Sequence, residues 1–317
     1  MDRVLVTLFL GVLFSTSALT AEECCACSGR FEAEAEYLFW QLKDEPKIID
    51  LVTTGTIDSP NQSTVLGGDR INNGWRSGGR LRLAYFCDDE SSLGLEAIYF
   101  CLPDVHHHGK VSSSGEIGSP YLTTPYYNVF TSLPARTPLS FPSGAVDGYS
   151  GTASLNLANK MQGAELNALL PIGCFSCLNL RVLGGFRYWN FTDKLSFDTS
   201  SRFLTNPDIF VTKDRFDAQN NFYGGQLGVG ATGCFDAFQF DVVGKVALGA
   251  MYTKANIDGY LKTTDFNSTG TIQTFSGGYF AQPSNIGKHH KTKFAVIPEA
   301  DLKLCYHICD QFFVSVG

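Results

Sequence analysis

The sequence predicts an all-β protein, an antiparallel up-and-down transmembrane β-barrel of about ten strands. Three observations predict it. Long stretches alternate apolar and polar residues with a period of two, which an extended backbone turns into one greasy face and one polar face. The connections alternate in length: long polar segments follow the odd-numbered strands and short turns follow the even ones, as in barrels with short periplasmic turns and long outer loops. The composition, 13% aromatic, 17% charged and with 32 glycines, suits strands better than helices.

Residues 1–21 read as a signal peptide. Arg3 gives the positive end, Val4 to Phe14 the apolar stretch, and Ser15 to Ala21 the small residues before cleavage. That apolar stretch is too short for a spanning helix. Residues 22–30 form a short segment carrying Cys24, Cys25 and Cys27, and residues 31–317 are assigned to the barrel. An exported chain without a helical anchor can still enter a membrane as a closed barrel, because a barrel satisfies its backbone groups internally. The net charge of −7 argues against nucleic acid as a partner.

The first strand is Phe31 to Gln41, with Phe31, Ala33, Ala35, Tyr37 and Phe39 on one face and Glu32, Glu34 and Glu36 on the other. Three carboxylates on one face are too costly for a dry core and fit a wet lumen. After a polar loop, Lys43 to Trp75, comes Gly79 to Phe86, with Arg80 and Arg82 opposite Leu81, Leu83 and Tyr85. Leu93 to Leu102 is the third strand and carries Glu96 on its weakly polar face. A long Ser-, Pro- and Tyr-rich loop, Pro103 to Tyr149, follows. The fourth strand, Gly151 to Leu170, changes parity between Leu155, Leu157 and the set Ala164, Leu166, Ala168, Leu170, which predicts a bulge near Met161 to Gly163.

Leu178 to Phe191 is the fifth strand: Leu178, Leu180, Val182, Phe186 and Tyr188 oppose Asn179, Arg181 and Arg187. Thr192 to Asp214 reads as its outer loop, and Phe216 to Ala231 as a glycine-rich sixth strand. The clearest alternation is Phe238 to Tyr252, where Asp241 and Lys245 share the polar face. After a polar loop, Thr253 to His290, comes Thr292 to Leu304, with Lys293, Glu299, Asp301 and Lys303 on one face. Pro298 is an anomaly there, since it removes a ladder donor. Gln311 to Gly317 starts a ninth strand. An even strand count calls for at least one more, so the sequence reads as lacking its last strand.

All the cysteines except Cys101 fall at one end of this topology. Cys24, Cys25 and Cys27 precede the first strand, and Cys87, Cys174, Cys177, Cys234, Cys305 and Cys309 lie in or beside short turns. In an exported protein this placement points to disulfides within the rim or to neighbouring proteins or copies. Zinc binding by Cys174-x-x-Cys177 and Cys305-x3-Cys309 is the weaker reading, since the spacing is loose and the compartment oxidising. A thioredoxin-like motif lacks its βαβ context. Gly228-x-Gly230-x-x-Gly233 lies inside a strand with no helix after it, so it is not a dinucleotide site. The triplet His106, His107, His108 reads as a solvated loop. No catalytic constellation, metal site or cofactor is expected.

Several stretches resemble a known family: Glu34 to Trp40 (EAEYLFW), Leu51 to Gly55 (LVTTG), Ser77 to Phe86 (SGGRLRLAYF), Leu93 to Phe100 (LGLEAIYF) and Leu183 to Trp189 (LGGFRYW). They are similar to the outer-membrane β-barrel proteins of planctomycetes and environmental chlamydiae, and the cysteine-rich rim resembles the porin-like major outer-membrane proteins of chlamydiae. The resemblance implies a bacterial outer-membrane location, lipid as the surrounding partner, small solutes or ions as cargo, and an envelope joined by disulfides. It brings no catalytic residues. The expected role is structural with a diffusion pore. The alternative is a surface adhesin or antigen that binds through the long loops.

Overall fold

The computed structural model describes residues 10–12, 31–43, 47–55, 62–70, 74–87, 93–128, 131–142, 144, 147–175, 177–206, 208–235, 237–265, 271–309 and 312–317. Apart from residues 10–12, the expected signal peptide and the segment with Cys24, Cys25 and Cys27 lie outside the described residues. The strands are β1 (Leu10–Val12), β2 (Phe31–Gln41), β3 (Asp50–Thr54), β4 (Thr64–Gly67), β5 (Trp75–Phe86), β6 (Gly94–Ser113), β7 (Leu122–Asn128), β8 (Leu133–Ser140), β9 (Tyr149–Phe175), β10 (Leu178–Phe203), β11 (Ile209–Phe235), β12 (Phe238–Asp265), β13 (Thr271–Ser276), β14 (Gly287–Cys309) and β15 (Phe312–Val316).

An 11-stranded antiparallel sheet makes the wall, in the order β1-β15-β14-β12-β11-β10-β9-β6-β5-β2, with β13 beside β12. Among the described residues no pairing joins β1 to β2, so the hydrogen-bonded ladder is open there. The wall nevertheless curls round on itself. Lys303 of β14 reaches Glu34 and Glu36 of β2, and Arg80 of β5 reaches Asp301 of β14 at 3.0 Å. These strands stand near opposite ends of the sheet, so its two ends face each other. Pro298 sits in the part of β14 where β12 is the one described neighbour, which eases its missing donor.

The strands are longer than the sequence suggests. β9 to β12 have 27, 26, 27 and 28 residues, against the roughly ten needed to cross a bilayer. The expected outer loop Thr192 to Asp214 is mostly the top of the β10–β11 hairpin, and residues 103–113 continue β6. Along the outward face the character changes at a fixed height. Below lie Val182, Phe186, Leu227, Val229, Val246 and Leu248. Above Tyr188, Tyr223 and Tyr252 the same face carries Thr192, Lys194, Gln219, Asp217, Lys254 and Asn256. On β11 the apolar band from Tyr223 to Phe235, at strand rise and barrel tilt, is about 30 Å tall. Aromatics at both rims fit the girdles of a membrane barrel.

This boundary explains the parity change in β9. Its register with β10 runs without interruption past Met161 to Gly163. The expected bulge is instead in the partner strand, between Leu102 and Val105 of β6, with a second irregularity between Leu180 and Arg181. Ala164, Leu166 and Leu170 face outward in the lower band. Leu155 and Leu157 face inward higher up, where a second sheet covers them. The environment inverts while the register is kept.

That second sheet has the order β4-β3-β7-β8 and comes from segments that read as loops. Its Leu51, Val52, Leu66, Leu122 and Leu139 pack with Ala153, Leu155 and Phe197 of the wall. It therefore lies on the lumen side. The turn before β14 docks there too: Asp214 is fully buried and accepts the backbone N–H groups of Tyr279, Phe280 and Ala281 at 3.1, 3.0 and 2.7 Å. Burial raises the pKa of this carboxyl against the lowering effect of those bonds, and pushes the Tyr279 phenol up to about 12.

Candidate functional site: the charged lumen

Inward positions of the lower wall form layers. Nearest the short turns, Arg181 donates to both Asp241 oxygens at 2.8 and 2.9 Å, and Thr232 donates to Asp241 at 2.6 Å. Next comes an apolar layer of Ala84, Phe86, Leu169 and Leu183, with Val243 against it. Above it lies the charge layer.

Two groups make up that layer. In the first, Arg80 pairs with Glu36 and Asp301, Lys303 pairs with Glu34 and Glu36, and Arg82 reaches Glu96 at 2.5 Å and Glu32 at 3.2 Å. In the second, Arg187 pairs with Glu165 and Glu299, while Lys245 holds the same two carboxylates at 3.0 and 2.9 Å. Asn167 joins them by donating to Glu96 at 3.0 Å, and Gln226 donates to Glu165 at 2.8 Å and to Asn167 at 2.5 Å. The pairings cross the interior, since Arg187 stands on β10, Glu299 on β14, and β11 and β12 lie between them.

The arrangement follows from the pleat. Glu32, Glu34 and Glu36 lie directly opposite Ala84, Arg82 and Arg80 in the β2–β5 register, so acid and base meet on one face. Inward glycines make room. A Cβ on Gly185 would stand 2.1 Å from the Leu166 carbonyl oxygen and 2.4 Å from the Asn167 side chain. A Cβ on Gly163 would strike the Phe100 ring at 2.3 Å. Above the charges, Phe100 belongs to a fourth layer with Leu38 and Leu102, against which Trp40, Met161 and Trp189 pack. The Phe100 ring is 5.2 Å from Trp40 and 6.0 Å from Trp189. Charge, aromatic layer and upper sheet thus fill the lumen in series. Buried charges of this kind persist where a carboxylate has more than one donor, as Glu36, Glu165 and Glu299 do.

The expected lumen residues Glu32, Glu34, Glu36, Arg80, Arg82, Glu96, Arg181, Arg187, Asp241, Lys245, Glu299, Asp301 and Lys303 are all in these layers. Lys293 is the exception: it keeps the inward parity but is exposed, above the charge layer and outside it. The sequence reading missed Glu165, Asn167 and Gln226. The signal for the first two was present, because they occupy the parity opposite Ala164, Leu166 and Ala168.

Cys87, Cys177, Cys234 and Cys305 lie toward the short-turn end, and the backbone places Cys174 and Cys309 there as well. Cys87 is an exposed thiol and Cys305 a buried one. Cys177 and Cys234 sit side by side across the β10–β11 hairpin ends, where the Cys234 N–H donates to the Cys177 carbonyl at 3.2 Å. Among the described residues no group of His, Cys, Asp or Glu is placed to hold a metal ion.

A wall of alternating strands with an apolar exterior, an aromatic-rimmed band and a polar interior is the architecture of a membrane barrel. The family model described as Putative beta barrel porin-7 (BBP7) matches residues 34–317. The chain belongs to this family. No curated protein and no solved structure matches it. The match covers the inner sheet and the wall from within β2 onward, and membership in the barrel porin family implies a porin-like role in a bacterial outer membrane. That is a channel-type role.

Proposed function

We propose that this porin-family barrel forms a closed wall element of the outer membrane, in which the charge layer and the inner sheet block the diffusion path until they are displaced. The observation that carries the reading is the pairing of Arg187 with Glu165 and Glu299 across the interior. A permanently open diffusion pore of this width lines its wall with charges facing water; here they face one another. In planar bilayers the purified full-length protein is expected to give no steady current at low voltage. An Arg187→Ala/Glu299→Gln variant is expected to show discrete open steps. Steady ohmic conductance of the unaltered protein would overturn the closed reading.

The cysteine rim belongs to the same proposal. Thiols gathered at the periplasmic end can bridge to neighbouring envelope proteins in an oxidising compartment. Non-reducing electrophoresis of envelopes is expected to give a ladder that thiol reductant collapses, and a monomer band under both conditions would remove this part. The adhesin alternative gains no support, since segments of the two loops it relies on form the inner sheet and the Asp214-held turn.

A further inference from the structure

We infer that the outer rim carries a binding surface for phosphate-bearing lipid headgroups, built by Lys254, Lys288 and His290. The inference rests on the membrane band assigned above. Residues 288–293 read Lys-His-His-Lys-Thr-Lys and open β14 just above the apolar band. In the β12–β14 register Lys254 lies opposite His290, and Lys288 lies opposite Asn256. All three basic residues share the outward parity of Tyr252 and Phe294, which face lipid below them. The His290 ring stacks on Tyr252 with centroids 5.7 Å apart, and the Tyr252 hydroxyl lies 2.8 Å from His290 Nδ1. The imidazole is therefore fixed at the height of the aromatic girdle, and Lys288 and Lys254 flank it.

Charge complementarity selects the occupant. The nearest acids on this outward face are Asp217, which lies opposite Lys194 as well as Asn256, and Asp258, which lies opposite Arg215. Neither stands opposite Lys254, Lys288 or His290. Lys291 and Lys293, both exposed, add positive charge from the adjoining side of the strand. A cationic cluster at the boundary between an apolar band and water attracts anionic headgroups, and each lysine adds to the attraction. A soluble anion would gain nothing from Tyr252 and Phe294, whereas a lipid phosphate has its acyl chains against them.

The test uses the full chain in neutral detergent and native mass spectrometry. Dioleoylphosphatidic acid is expected to stay bound at collision energies that strip dioleoylphosphatidylcholine. A Lys254→Gln/Lys288→Gln/His290→Gln variant is expected to lose retention by about tenfold, while keeping the heat-dependent gel mobility of the folded barrel. Equal retention by the variant, or displacement of the lipid by an equal concentration of inorganic phosphate, would overturn the proposal. Flotation with dioleoylphosphatidylcholine vesicles separates the two levels. Failure to float would overturn the membrane assignment along with this site; flotation with no preference for phosphatidic acid would overturn the site alone.

Discussion

Arg187→Ala is expected to lower the unfolding free energy by about 3–5 kcal/mol, the range for removing one partner of a buried ion pair. Arg187 is 4% exposed and pairs with both Glu165 and Glu299. Without it, two carboxylates share Lys245 and the amide donor of Gln226. Glu165 remains held away from water, with its side chain 4% exposed, so the cost is that of uncompensated charge and not of lost packing. Arg187→Lys should recover part of the loss, because an ammonium supplies charge without the planar fork that spans two strands. Urea unfolding from phospholipid vesicles measures both. A loss below about 0.5 kcal/mol for the alanine variant would mean that water already screens the site as it does surface pairs.

The wall and most of the charge layer were legible in the sequence because both rest on the pleat. Asp241 and Lys245 fall four apart, two periods of the pleat, and alternate with Val242 and Val246, and that spacing fixes their face whatever the neighbours are. Arg80 and Arg82 meet Glu36 and Glu34 because a hairpin register carries one polar face onto another. The inner sheet was not legible. β3 and β4 have 5 and 4 residues and little alternation, and β8 contains two prolines, Pro134 and Pro138, so turn chemistry outweighed strand signals. The extended hairpins were missed for a related reason. Above the girdle the outer face meets water, so Thr192 to Asp214 loses its apolar rhythm and reads as loop even though its backbone is still paired. Leu155 fell on the parity opposite to Leu166 because its partners, Leu51, Val52 and Leu139, are distant in the chain. The open ladder between β1 and β2 follows from no single residue pattern.

The central claim is that one face of each wall strand meets lipid up to the Tyr188–Tyr223–Tyr252 girdle and water above it. Two positions on β11 test it, since Val229 and Gln219 share the outward parity and stand on either side of Tyr223. Val229 is 63% exposed in the middle of the apolar band, where an arginine facing the bilayer midplane costs about 2–4 kcal/mol. Gln219 is exposed above the girdle, where the same change meets solvent. The measurement is the unfolding free energy of Val229→Arg and Gln219→Arg from phospholipid vesicles. The account predicts a loss of about 2–4 kcal/mol for the first and less than about 0.5 kcal/mol for the second; equal effects, or the larger loss at Gln219, would contradict it.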